Sequence, residues 1–226
     1  MTVTLNRITS AAGLCAAVAG AIYIGVQINH PPAEVAQVVT TEFVVRETAK
    51  ALMAVLALAG FAGMFLHNRR RLGPLGVIGY VLVSIGYLAM FANQCIVGYV
   101  LPIVARTSSG YVQDYLDAAM GGSPSGDIGH IQQLFLVTGI GYSVGGLLFG
   151  IALFRSGILA RWASALFAAG TVSALALAAL PESFSRPFAV PVGIALVGLG
   201  VSLYRSSRTT ADTESAAAAG DLAAVR

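Results

Sequence analysis

Glu47 and Lys50 stand one helical turn apart at one end of a long apolar run. Amides occupy comparable places elsewhere: Asn93 and Gln94 late in a third run, Gln132 and Gln133 opening a fourth beside His130, and Gln27 closing the first. Polar side chains at membrane depth are rare and costly, and they mark substrate, ion or proton paths. The chemistry open to this set is ligand binding through ammonium and amide groups. All of these positions map to the same side of the chain's apolar runs, so the pattern predicts one pocket lined by Lys50, Asn93, Gln94, His130 and Gln133. The competing reading is structural. Interhelical amide bonds contribute about 0.6–2 kcal/mol each, and Lys50 would snorkel to headgroups beside Glu47, its i,i+3 neighbour.

Gly141-Tyr142-Ser143-Val144-Gly145 matches G-x-S-x-G, the pattern of a serine nucleophile on a strand-to-helix turn. Here it falls in the middle of an apolar helical run, where that turn is absent. An intramembrane serine protease of the rhomboid kind needs a histidine on another helix to activate its serine. The three histidines, His30, His67 and His130, lie outside the cores of the other runs. Gly141/Gly145 and Gly146/Gly150 read better as two small-xxx-small pairs that let neighbouring backbones approach. No catalytic residue is therefore assigned.

The remaining inventory argues against other chemistries. No carboxylate lies mid-span, so a proton relay or paired-acid protease is not expected. No HExxH, histidine cluster, P-loop or GxGxxG occurs, so neither a metal nor a cofactor is expected. Cys15 and Cys95 sit inside apolar runs without metal-ligand spacing and read as small core residues.

The elements that must carry these residues follow from composition. Of 226 residues, 57% are hydrophobic and only 10% are charged, against about 25% charged in soluble domains. Mean hydropathy is +0.80. Net charge is +3, but the arginines are scattered between apolar runs and form no nucleic-acid footprint. A single lysine against twelve arginines, with abundant Ala, Gly and Val, suggests a GC-rich bacterial genome.

Six apolar runs stand out: Ile8 to Ile28, Thr41 to Leu66, Leu75 to Tyr99, Ile131 to Phe154, Ile158 to Leu180 and Phe188 to Tyr204. Each is close to the roughly 17–25 residues a spanning helix needs. In lipid every backbone polar group must be paired internally, so helices are expected. The fold class is an all-α polytopic membrane bundle of six transmembrane helices over residues 1–208, followed by a disordered cytoplasmic tail over 209–226. Pro74 opens the third helix, Pro181 closes the fifth, Pro187 opens the sixth, and Pro191 is placed to kink it. The stretch from Pro74 to Ala105 is too long for one straight crossing, about 48 Å, so a break or bend is expected at Pro102. Arg7 and Ala19-Gly20-Ala21 resemble parts of a signal peptide, but the apolar run continues past them, which favours an uncleaved span.

Basic residues set the orientation. With the N-terminus in the cytoplasm, nine fall inside: Arg7, Arg69, Arg70, Arg71, Arg155, Arg161, Arg205, Arg208 and Arg226. Four fall outside: Arg46, Lys50, Arg106 and Arg186. That bias predicts both termini inside. The Arg69-Arg70-Arg71 turn could hold anionic lipid, though it is first of all a topology signal. On the outer side, His30-Pro31-Pro32 through Thr41 makes one excursion. A second holds a short amphipathic helix, Gly110 to Met120, capped by Ser109 and ended by Gly121-Gly122. Its tyrosines, Tyr111 and Tyr115, are expected at headgroup level.

The stretch GLLFGIALFRSGILARWASALFAAG, Gly146 to Gly170, joins a Gly-rich helix ending in arginine to an Ala-rich helix through a basic Arg-Trp turn. It resembles a segment of uncharacterised actinobacterial multi-pass integral membrane proteins. The resemblance covers about 25 residues well and the rest in general plan. It implies a membrane location, no activity and no functional residue. The expected function is non-enzymatic: a scaffold, accessory subunit or small-ligand sensor in the cell's inner membrane. Its partners would be lipid, a homo-oligomer or other membrane proteins, and not nucleic acid. The alternative is a small transporter or channel working as an oligomer, with an intramembrane enzyme third.

Overall fold

The computed structural model describes residues 5–29, 31–177 and 189–224, with side chains except over 174–177 and 210–224. Among the described residues all regular structure is helical. The chain forms α1 (Leu5–Gly25), a single turn α2 (Val35–Val38), α3 (Thr41–Asn68) and α4 (Gly73–Cys95). α4 continues through a π-helical turn at Ile96–Val100 into α5 (Leu101–Val104). Then come α6 (Ser109–Ala119), α7 (Ile131–Ile140), a second π turn at Gly141–Gly145, α8 (Gly146–Ser156), α9 (Arg161–Leu177) and α10 (Ala189–Ala224).

Five rods are long and apolar enough to cross a bilayer: Leu5–Gly25, Thr41–Asn68, Gly73–Val104, Ile131–Ser156 and Ala189–Thr209. They mark the chain as a membrane protein. The sequence predicts six. The remaining run is α9, with 17 described residues, about 25 Å of helix. The end of that run at Leu180 lies outside the described residues, as do His30, Pro181, Glu182, Arg186, Pro187, Phe188 and Arg226. α10 runs on to Ala224, beyond the apolar run that ends at Tyr204.

The rods close into a ring in chain order. α1 packs on α3, α3 on α4, α4 on α7 and α8, α8 on α9, α9 on α10, and α10 returns to α1. The first rod turns small residues inward and large apolar ones outward. On α1 the buried face is Thr9, Ala12, Gly13, Ala16, Ala19 and Gly20, while Leu5, Ile8, Leu14 and Val18 are exposed. This inverts the arrangement of a water-soluble bundle. It is what lipid permits, because tails solvate leucine as well as a protein core does, and close backbone contact then supplies the cohesion.

The serine-centred glycine motif belongs to this packing. Gly141 and Gly145 meet Gly86 and Val83 of α4, whereas Gly146 and Gly150 meet Thr171 and Ala168 of α9. One helix thus uses two small-xxx-small pairs for two neighbours, and the π turn rotates the face between them. The axis of the ring is filled by aromatic side chains. Phe61 of α3 is fully buried. It packs edge-on to Tyr87 at 4.9 Å and Phe149 at 6.0 Å between ring centroids, and lies 5.6 Å from Phe167.

Polar contacts sort the two ends of the ring. At one end Ser156 donates to the Asn68 side chain at 3.2 Å, His67 and Ser206 share a hydrogen bond of 2.8 Å, and Ser10 and Ser207 share one of 2.7 Å. These bring the turns holding Arg69–Arg71 and Arg155 together with Arg205. At the other end Arg46 donates to the carbonyls of Val26, at 3.3 Å, and Ile28, at 2.9 Å, just past the end of α1. It also pairs with Glu42 at 2.9 Å.

The long third rod does not break at Pro102. The irregularity falls just before it, where the Leu101 N–H donates to the Ile96 carbonyl, five residues back. A π turn absorbs an extra residue without ending a helix, so the rod reaches Val104. α6 begins one residue earlier than expected. Ser108 holds the cap position and makes no side-chain cap bond. The end is as the glycines foretell, with Gly121 at φ +84° and the Gly122 N–H on the Asp117 carbonyl at 2.8 Å.

Candidate functional site

The end of the ring opposite the arginine turns carries a cap. α2 and α6 sit over it, and a second apolar cluster joins them: Val38, Phe43, Val97, Leu101, Val112, Tyr115 and Leu116. The apolar face of α6 therefore meets protein, not headgroups, and Val112 and Tyr115 are fully buried. Under the cap Lys50 Nζ lies 2.6 Å from Glu47 Oε1. Glu47 is only 2% exposed. Gly98, inside the first π turn, makes room for it, since a Cβ there would stand 3.1 Å from Glu47 Cβ. Beside this pair the Tyr115 hydroxyl donates to Asn93 Oδ1. Burial, then the neighbouring ionisable groups Tyr111 and Glu47, hold the Tyr115 phenol well above its ordinary value, so it remains a proton donor to Asn93.

Of the five residues expected to line a pocket, the structure gives two of them packing partners. Lys50 is paired with Glu47, and Asn93 is bonded to the cap helix α6. Gln94 is half-buried on α4, while His130 and Gln133 are exposed at the start of α7. Two cavities are described. One, about 660 Å³, opens on the outer face of the ring along Trp162, Ile194, Val197 and Val201. The other, about 280 Å³, lies at the arginine end. Neither is lined by Lys50, Asn93, Gln94, His130 or Gln133. Among the described residues no group of three or more His, Cys, Asp or Glu converges as a metal site would require.

Removing one partner of a buried pair leaves the other uncompensated. Lys50 is partly exposed, 17% of its side chain, so solvent screens part of that cost. Lys50→Met is expected to lower stability by about 1–2 kcal/mol, and the Glu47→Leu/Lys50→Met double variant to regain most of it. Thermal unfolding in detergent micelles measures both. A double variant no better than the single one would show that the pair is not isolated in this way.

Asp114 makes a structural contact that the helical pattern hides. It lies in the middle of the short amphipathic helix α6, yet it is only 9% exposed. Its carboxylate accepts from the Ser125 hydroxyl at 2.8 Å, the Ser125 N–H at 2.7 Å and the Gly126 N–H at 3.2 Å. It thereby clamps the loop after α6 back onto the cap. The Ser125 hydroxyl and then its N–H hold the carboxyl below its ordinary value of 3.8, against a smaller opposing effect of desolvation. A carboxyl depressed on folding contributes stability above its unfolded value and loses it as pH falls through the folded one. Amide exchange at 125–126, corrected for its intrinsic pH dependence, should stay slow from neutrality down to 3.8 and quicken below that. Asp114→Ala should show the quickened exchange already at neutral pH.

Three tyrosines form a polar feature within the ring that hydropathy does not reveal. The hydroxyls of Tyr23 and Tyr142 lie 3.1 Å apart, and the Tyr87 and Tyr142 rings are 5.8 Å apart. The Tyr87 hydroxyl and the Ser84 hydroxyl are buried without a hydrogen-bond partner among the described residues. Tyr142 belongs to the second π turn, a helix irregularity frequent at functional sites. The signal available in the sequence was the glycine-flanked tyrosine, which the packing role of the glycines masked.

No family model, curated protein or solved structure matches the chain.

Proposed function

We propose that the chain is a multi-pass protein of the cell's inner membrane with six crossings and both termini in the cytoplasm. It works without catalysis, as a scaffold, accessory subunit or small-ligand sensor. α9 is the sixth crossing, and the cap of α2 and α6 faces outward. The observation that carries the reading is the use made of the polar residues. Asn93 accepts from Tyr115 of the cap, Lys50 pairs with Glu47 within α3 beneath it, and Asp114 ties the following loop to α6, while Phe61 and its ring partners fill the axis. Such a molecule presents a fixed outer surface on a packed membrane body.

The second reading is a small transporter or channel working as an oligomer. The tyrosine hydroxyls inside the ring favour it, because polar groups at that depth are the raw material of a solute path. Purified protein in liposomes separates the two. The scaffold or sensor reading expects leakage of entrapped protons and potassium to match protein-free liposomes, and a protein or small molecule to remain bound through purification. A protein-dependent flux lost in Tyr23→Phe/Tyr142→Phe would establish the second reading instead.

A further inference from the structure

The cavity of about 280 Å³ at the arginine end lies between the start of α1 and the turn joining α3 to α4. Arg69, Arg70 and Arg71 line it together with His67. All three arginines are exposed. The two ion pairs among the described residues, Arg46–Glu42 and Lys50–Glu47, are both at the capped end, so no carboxylate among the described residues pairs with the three guanidinium groups. The turn itself is firmly held. Asn68, 1% exposed, donates to the Met64 carbonyl at 2.7 Å and accepts from Ser156. The Arg71 N–H closes the turn onto the Asn68 carbonyl at 2.8 Å. Three adjacent cations held in place repel one another, and an anion seated among them relieves that repulsion.

The rest of the lining narrows the anion. Asn6 and Thr9 of α1 supply a polar wall. Leu5 and Leu66, also in the lining, are 52% and 38% exposed and continue into the apolar outer faces of α1 and α3. Guanidinium forks match phosphate oxygens in pairs, and basic pockets between membrane helices hold anionic headgroups. We propose that this cavity binds a phosphate group, and that the phosphate is the headgroup of an anionic phospholipid whose acyl chains follow Leu5 and Leu66. The proposal rests on the membrane location of the chain and not on what the bundle does there.

Native mass spectrometry of delipidated full-length protein tests it, with phosphatidylglycerol, phosphatidylcholine and inorganic phosphate as separate probes. Phosphatidylglycerol is expected to bind at one tight site, with phosphatidylcholine at least several-fold weaker. Arg70→Gln/Arg71→Gln should weaken phosphatidylglycerol roughly 30-fold. Arg155→Gln/Arg161→Gln removes the same charge from the adjacent turn, outside the cavity, and should change affinity less than about three-fold. Equal losses in the two variants, or equal binding of the two lipids, would overturn the proposal. Full displacement of lipid by millimolar inorganic phosphate would keep the phosphate site and overturn the lipid as its source. These arginines also carry topology information. Should the glutamine variant fail to insert, Arg70→Lys/Arg71→Lys keeps the charge and loses the fork. A several-fold drop in phosphatidylglycerol affinity is expected there, and an unchanged affinity would overturn the proposal.

Discussion

Gly86→Val is expected to destabilise the bundle by about 3 kcal/mol or more, the largest effect of any single substitution considered. A Cβ on Gly86 would stand 2.4 Å from the Tyr142 N and 2.5 Å from the Gly141 carbonyl carbon. Both are backbone atoms, so no side chain can rotate away and the two rods must separate. Separation also disturbs the second π turn, where Gly141 meets Gly86 in return, and with it the Tyr23–Tyr142 contact. Denaturation in mixed detergent micelles reads the loss. Gly25→Val is the control, because nothing lies within 4 Å of a Cβ there. A Gly86→Val protein as stable as the control would mean that the rods are not in backbone contact.

Phe61→Ala should come next, at about 2–3 kcal/mol. In a water-soluble core such a truncation costs about 3–5 kcal/mol, part of it the transfer of the ring from water. In lipid that transfer contributes little, because the unfolded reference state keeps its helices in hydrocarbon. What remains is the lost packing against Tyr87, Phe149 and Phe167, which sit on three different rods. Phe61→Leu retains more of the volume and should cost less than half as much. If Phe61→Ala and Phe61→Leu unfold at the wild-type midpoint, the ring has no filled axis.

Much of the fold could be read from hydropathy because length and composition alone decide which segments suit a bilayer. Gly141/Gly145 and Gly146/Gly150 were legible as packing pairs, since small residues four apart share a helix face. Which neighbour each pair meets was not, because the π turn at Gly141–Gly145 shifts that face and leaves no hydropathy trace. The partners of the candidate pocket residues were illegible for a related reason. Hydropathy marks Asn93, Gln94 and Gln133 as costly in lipid, but it does not name their partners. Asn93 found Tyr115 on α6, whereas Gln133 stays exposed at the start of α7. The role of Asp114 leaves no trace in the helical period, because only the loop that folds back over it, bringing Ser125 and Gly126, makes it a clamp.

The central claim is six crossings with both termini inside, and α9 is its most exposed part. If α9 crosses, residue 215 is in the cytoplasm. If only the five longer rods cross, it lies outside. A Ser215→Cys variant, with Cys15 and Cys95 replaced by alanine, decides between them in intact cells. Treated with a membrane-impermeant maleimide, Cys at position 215 should be labelled only after the cells are opened. Labelling of intact cells at that position would contradict the six-crossing account.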